Sequence, residues 1–257
     1  MKKDIQIGVI GFGIVGSGAV KILIEHADSI ARKVGSRLIV KRIADLDITT
    51  PRPVEIDKSV LTTNADLIID DPEIDIVVET IGGLKPAGDF IRRSLKSGKS
   101  VVTANKELIA KEGATILPLA GEVGKDFLFE ASVGGGIPII HTMKSCLAGN
   151  EILQVRGIVN GTTNYILSKM MQEGAEFADA LAEAQRLGYA EPDPTNDVEG
   201  YDATFKLAIL ASIAFESRVR VEDIYREGIA HLTAVDMEYA RQLGCTIKLL
   251  ALGSLVE

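Results

Sequence analysis

Ile5-Gln-Ile-Gly-Val-Ile10 runs straight into Gly11-Phe12-Gly13-Ile14-Val15-Gly16, and a helical pattern follows to about Arg32. The first six residues read as a short β-branched strand, the next six as the Gly-x-Gly-x-x-Gly turn of a dinucleotide site. Each glycine has its own task. Gly11 makes the tight turn, Gly13 lets the backbone approach a pyrophosphate, and Gly16 allows helix and strand to pack closely. The phosphates then face free N–H groups at the positive end of the helix. Glycine-rich turns are common, so the spacing alone is weak. The strand before it and the helix after it supply the context that the motif needs.

Outward from this turn, strands and helices alternate. Residues 38–44 read as a second strand ending in Asp45-Leu-Asp47, with further strands at 75–80, 100–103 and 127–131. Helices fall near 86–97 and 106–121. Alternation with short links predicts a parallel sheet with right-handed crossovers. Ligands then gather beyond the carboxyl ends of the strands, where Thr80 and the segments from Thr103 to Lys106 and from Glu130 to Gly136 fall. Asp45 is placed to accept hydrogen bonds from an adenosine ribose diol, an NAD-type feature. The spacing from Gly16 to Asp45 is longer than usual, and nearby Arg42 and Arg52 offer an alternative, reception of a 2′-phosphate. The reading leans to NAD.

After Gly136 the character changes, with helices expected at 138–147, 165–173, 177–187, 202–215 and 233–243. Strands are expected at 154–159 and 246–252, the latter apolar on both faces. The fold class is therefore α/β: a Rossmann-type dinucleotide-binding domain over residues 1–136, then an α+β substrate or catalytic domain over 137–257.

Within that second domain, Glu191-Pro-Asp-Pro-Thr-Asn-Asp-Val-Glu-Gly-Tyr-Asp-Ala-Thr-Phe-Lys206 carries the chemistry. Asp202 and Lys206 share one helix face at i,i+4 spacing, inside a run that is otherwise apolar. An unpaired amine there is costly, so it is either held by its carboxylate or used as an acid/base. The competing reading is a boundary lysine reaching to water.

Composition narrows the class. The net charge of −8 is spread without long like-charge blocks, which argues against a nucleic-acid surface. No apolar run is long enough to span a bilayer, and the Lys2-Lys3 start is not followed by an apolar signal region. Two cysteines, Cys146 and Cys245, make no disulfide framework. The cytoplasm is the expected location. Cys146 reads as a buried core residue, which argues against a thiol nucleophile. His26, His141 and His231 lie too far apart in sequence for a zinc-type cluster.

Together the motifs resemble homoserine dehydrogenase over essentially the whole chain. The matching stretches are Gly11–Gly16, Val101-Val-Thr-Ala-Asn-Lys106, Glu130-Ala-Ser-Val-Gly-Gly-Gly-Ile-Pro138, Gly157-Ile-Val-Asn-Gly-Thr-Thr-Asn-Tyr165 and Glu191 through Lys206. The first is generic and the last three together are specific. The resemblance implies NAD(P)-dependent interconversion of aspartate 4-semialdehyde and homoserine, on the route to threonine and methionine, by a homodimer. It implies that Lys206 is the proton donor, that Glu191 and Asp202 bind homoserine, and that Lys106 lies near nicotinamide and substrate. Two lysines leave the donor formally ambiguous; Lys206 is preferred. It places Thr80, Lys106, Gly188 and Glu191 beside the cofactor. It also implies that backbone carbonyls of Glu130, Val133, Gly135 and Ile137 hold a monovalent cation, commonly sodium. The competing reading of Gly134–Gly136 is an ion-free hinge.

A sensor that binds dinucleotide without turnover is the alternative from another class, which the four charged site residues oppose. The family continues past the last expected strand, whereas this sequence stops at Gly253-Ser-Leu-Val-Glu257. The expectation is a short form or fragment whose last strand offers an edge for self-association.

Overall fold

The structure, a computed structural model, describes residues 4–256. It divides into two compact units, one ending at Gly136 and the other beginning at Ile137.

The first unit contains β1 (Ile5–Ile10), α1 (Ile14–Glu25), α2 (Ala27–Val34), β2 (Leu38–Ala44), β3 (Leu61–Thr62), α3 (Asp66–Ile69), β4 (Ile76–Glu79), α4 (Ala87–Lys96), β5 (Ser100–Thr103), α5 (Lys106–Glu122) and β6 (Phe127–Leu128). The six strands form one sheet in the order β3-β2-β1-β4-β5-β6, every neighbouring pair parallel. This is the order of the doubly wound mononucleotide-binding fold, and its direction of winding reverses between β1 and β4. Ile7, Val9, Phe12, Val20 and Ile43 are buried together on one side of the sheet. Each such side chain contributes roughly 1.5–3 kcal/mol through burial.

Two expectations for this unit need correction, and one strand is additional to them. The single helix from 14 to 32 is two, because the chain leaves helical geometry at His26 (φ −109°, ψ 17°). The strand expected at 127–131 is only two residues long, since Glu130–Ser132 turns into a 3-10 helix. The two-residue β3, paired only with Ile43 and Ala44 at the tip of β2, was not anticipated.

The second unit contains α6 (Ile139–His141), β7 (Gln154–Gly157), α7 (Gly161–Glu173), α8 (Phe177–Arg186), α9 (Thr195–Val198), α10 (Tyr201–Ala214), α11 (Ala234–Gln242) and β8 (Ala251–Ser254). Its two strands pair antiparallel, Gln154 opposite Ser254 and Gly157 opposite Ala251. Ile166, Leu167, Met170, Ala180, Ala184 and Met237 knit α7, α8 and α11 into one core.

The helix expected over 138–147 is α6 followed by a wider π turn, Thr142–Cys146, closed by the Leu147 N–H on the Thr142 carbonyl at 2.9 Å. Cys146 is exposed there, so its reading as a core residue is wrong. The last strand starts five residues later than expected. Ile247 and Leu249 pack on the helical core, and Lys248 Nζ between them donates to Asn164 Oδ1 (2.8 Å) and Ser168 Oγ (2.6 Å) of α7. That anchorage holds 246–250 on the helix instead of in a ladder. β8 is also buried on one side only: Ala251 lies in the α10 cluster, whereas Leu252, apolar too, and Ser254 are exposed.

Helix α11 begins at a reciprocal cap, in which Thr233 Oγ1 accepts from the Asp236 N–H (3.3 Å) and the Asp236 carboxylate accepts from the Thr233 N–H (2.8 Å). Thr233→Ala removes half of it and is expected to cost about 1 kcal/mol. Thermal melts should show this as a midpoint a few degrees lower.

Candidate active site

The glycine-rich turn lies at the point where the winding of the sheet reverses. Gly11 has φ +102°, a conformation that glycine tolerates. A Cβ on Gly16 would lie 2.0 Å from the Gly11 carbonyl oxygen, so only glycine lets the first turn of α1 meet the strand end. Thr80, just past β4, staples the turn from the other side: its Oγ1 donates to the Gly11 carbonyl at 3.0 Å. A Cβ on Gly13 would meet nothing within 4 Å, so the space beside Gly13 is open. Ile14 is 93% exposed and Val15 is exposed too, an unusual placement for two branched apolar residues at a helix start.

The carboxylate of Asp45 joins this turn. One oxygen accepts from the Phe12 N–H and the other from the Asp47 N–H at 2.8 Å. Asp47 instead builds the following loop, accepting from the N–H groups of Thr49 (3.1 Å) and Thr50 (3.0 Å). Hydrogen bonds from Thr50, and then from Thr49, hold its carboxyl well below the usual carboxylate range. Arg52 reaches back to Asp47, 3.3 Å from its carbonyl and 3.4 Å from its carboxylate.

Lys106 opens α5, immediately past the carboxyl end of β5. Asn105 fixes that start: its Oδ1 caps the Leu108 N–H (3.1 Å) and its Nδ2 donates to the Gly83 carbonyl (2.6 Å). Behind it, fully buried Glu79 accepts from the N–H groups of Ile81 (2.8 Å) and Gly82 (3.1 Å) and from the Thr103 hydroxyl. The sequence reading includes Asn105 in the strand-end segment from Thr103 to Lys106 without giving it a role, and gives none to Glu79. A carboxylate at the end of an otherwise apolar strand was the available signal.

Beyond β6, Glu130 lies in the 3-10 turn, Val133 is buried, and Gly134 and Gly135 have φ of +71° and +34°. The Glu130 carbonyl accepts from the Val133 N–H at 3.4 Å, and in the second unit the Ile137 carbonyl accepts from the Ile139 N–H at 2.8 Å. Among the described residues no cluster of three or more His, Cys, Asp or Glu side chains is placed to hold a metal.

In the second unit, Lys206 lies on α10, ten of whose fourteen residues are buried. Its Nζ contacts the Asp202 carboxylate at 2.7 Å and donates to the Val159 carbonyl, just past β7, at 2.7 Å. Its side chain is 17% exposed, that of Asp202 3%. An ammonium has three N–H groups, and these contacts use two. The i,i+4 pair is thus real and largely sealed, and the reading of a lysine stretched into water fails.

Asp197 was overlooked, although it lies in the quoted segment between Glu191 and Asp202. It belongs to α9 and shares Asn160 with Asp202: Asn160 Nδ2 donates to Asp197 Oδ1 (2.6 Å) and to Asp202 Oδ2 (2.8 Å). Glu191 is exposed on the loop after α8, its backbone carbonyl held by Gln185 Nε2 at 3.1 Å. Gly188, at φ +79°, closes the end of α8. Gly200, also at φ +79°, separates α9 from α10, and Arg226 lies 3.6 Å over the Tyr201 ring while donating to the Glu199 carbonyl. That clamp fixes where α10 starts, and with it the direction in which Asp202 and Lys206 point.

A glycine-rich turn at the switch point of a six-stranded parallel sheet puts the first unit in the class of dinucleotide-binding domains. Two family models divide the chain accordingly: "Homoserine dehydrogenase, NAD binding domain" matches residues 11–130 and "Homoserine dehydrogenase" matches 138–256. The homoserine dehydrogenase of Bacillus subtilis (strain 168) is 45% identical over 259 residues, which cover 99% of this chain and 60% of the relative. The chain therefore spans about three fifths of that relative's length. Among solved structures, a homoserine dehydrogenase from Thiobacillus denitrificans superposes with a TM-score of 0.92 at 46% identity, over 100% of this chain and 59% of that one. A putative homoserine dehydrogenase from Archaeoglobus fulgidus is 33% identical with a TM-score of 0.86, over 97% of this chain and 80% of that one. A hyperthermophilic archaeal homoserine dehydrogenase in complex with NADPH is 28% identical, TM-score 0.79, over 98% and 79%. The chain belongs to the homoserine dehydrogenase family.

No helix among the described residues is long and apolar enough to cross a membrane.

Proposed function

We propose that this chain catalyses the NAD(P)-dependent interconversion of aspartate 4-semialdehyde and homoserine, with residues 1–136 binding the dinucleotide and 137–257 acting on the substrate. The observation that carries this reading is Lys206, a lysine fixed by a carboxylate and a carbonyl on a largely buried helix. NAD(P)H, when bound, supplies the hydride. As the aldehyde oxygen gains negative charge, the Lys206 ammonium offers it both field and proton. In the oxidising direction the same nitrogen, as the neutral amine, accepts the hydroxyl proton. Asp202, buried, holds that nitrogen in place. Exposed Glu191 is the carboxylate that a substrate α-ammonium can reach, and Asp197 adds negative charge beside Asp202. Lys106 offers a second positive charge near the reacting oxygen, and the carbonyls of Glu130, Val133, Gly135 and Ile137 are the proposed holders of a monovalent cation such as sodium. A homodimer in the cytoplasm remains the expected state. An assay of homoserine oxidation with either cofactor tests the proposal; absence of turnover by folded, dinucleotide-binding protein would favour the sensor reading.

The preference for NAD rests on Asp45 and on the engagement of Arg52 by Asp47, which supports a diol reader over a phosphate receiver. Asp45→Ala is accordingly expected to raise KM for NAD and leave KM for NADP less affected. Steady-state kinetics with both cofactors check this, and an unchanged preference would show that another residue reads the ribose.

A further inference from the structure

Asn160 is 6% exposed, and its side chain is used at both ends. Its Oδ1 caps α7 by accepting from the Thr163 N–H and hydroxyl, both at 2.8 Å. Its Nδ2 places one N–H on Asp197 (2.6 Å) and the other on Asp202 (2.8 Å). The preceding carbonyl, Val159, accepts from Lys206. Two consecutive residues therefore hold both members of the Asp202–Lys206 pair, the carbonyl gripping the lysine and the amide gripping the aspartate. The amide and the ammonium meet on the same oxygen, Asp202 Oδ2. A helix cap alone does not call for an amide, because serine and aspartate cap about as well as asparagine. Neither of them can accept at the cap and also donate twice.

We propose that Asn160 is a positioning residue for the reaction: its amide bridges Asp197 and Asp202, keeping two neighbouring carboxylates in fixed places and so aiming the Lys206 ammonium at the substrate oxygen. Asn160 acts through Asp202 and touches no reacting atom. The inference rests on the homoserine dehydrogenase reading given above for its kinetic consequence, but not for its geometric one.

The test compares Asn160→Ser and Asn160→Asp with the unaltered protein. Both keep a capping oxygen, so helix α7 should survive, although the Asn160→Ser melting midpoint should fall by several degrees as two carboxylates lose their shared donor. Serine removes the two donors. Aspartate replaces them with a third negative oxygen facing two others. Losing hydrogen bonds to charged groups should lower kcat/KM for homoserine on the order of 10–100-fold in Asn160→Ser and further in Asn160→Asp, through both kcat and KM, with dinucleotide affinity unchanged. A second measurement is independent of turnover. In protein labelled with nitrogen-15 at lysine, the Lys206 ammonium should give a slowly exchanging signal that both variants lose. If both variants keep the kinetics and the ammonium signal, Asn160 is a cap and the inference is overturned. If the unaltered protein turns over no homoserine, the functional reading fails, and the ammonium comparison still decides the role of Asn160.

Discussion

Lys206→Met is expected to reduce kcat for homoserine oxidation by ~10²–10⁴-fold, the usual contribution of a positioned proton-transfer group. Affinity for NADH should be retained, because the glycine-rich turn belongs to the other unit. The substitution also strands Asp202, whose carboxylate is almost fully buried. Breaking a buried pair from one side costs about 3–5 kcal/mol, although here the Asn160 amide softens the loss. Fold and chemistry can be separated by combining Lys206→Met with Asp202→Asn, which removes the stranded charge. The double variant should recover much of the melting temperature and none of the turnover. Near-normal kcat in folded Lys206→Met would shift the proton to Lys106 or to water.

The second large effect is expected at the phosphate turn, where two glycines should fail in different ways. In Gly16→Ala the new methyl would overlap the Gly11 carbonyl at 2.0 Å, and backbone cannot swing aside as a side chain can. The clash should destabilise the first unit by about 3 kcal/mol, the upper end of ordinary overpacking, and shift the turn away from its ligand. In Gly13→Ala the methyl would meet no protein atom within 4 Å, so the melt should be unchanged. That open space is where a pyrophosphate is proposed to approach. Loss of even one charge-assisted N–H contact there weakens binding roughly 10–100-fold. Thermal melts paired with NADH fluorescence titrations check both outcomes. A stable Gly13→Ala protein with unaltered affinity would place the phosphates elsewhere.

Much of the first unit could be read from sequence because its signals are local. β2 covers the expected residues 38–44, and α5 begins at the expected Lys106, since hydrophobic runs and strand-end polar residues report on adjacent positions. β3 was invisible because its two residues are strand only by virtue of pairing with the tip of β2. The last strand was misplaced for a similar reason: Lys248 answers to Asn164 and Ser168, some eighty positions earlier. At the candidate site, the Asp202–Lys206 pair was legible because one helical turn joins it. Asn160 had no signal of that kind. Its bonds span 37 and 42 positions, and an asparagine before Gly-Thr-Thr looks like any helix start.

The burial of α10 on nearly every side has a consequence for selectivity. A surface lysine can lean several ångströms to meet what it serves; Lys206, rooted in packed core and tied to Asp202 and Val159, cannot. If, as proposed, one end of the substrate is anchored at a carboxylate and the other meets this stationary ammonium, the site would act as a ruler. A homologue of the proposed substrate longer or shorter by a single methylene would still dock by its amino-acid end, but its carbonyl would stop short of the proton or overshoot it. A misplacement of about 1 Å can cost 10²-fold in rate. Under that proposal the stiffness of one helix would do the work of a gate, sorting chain lengths rather than shapes.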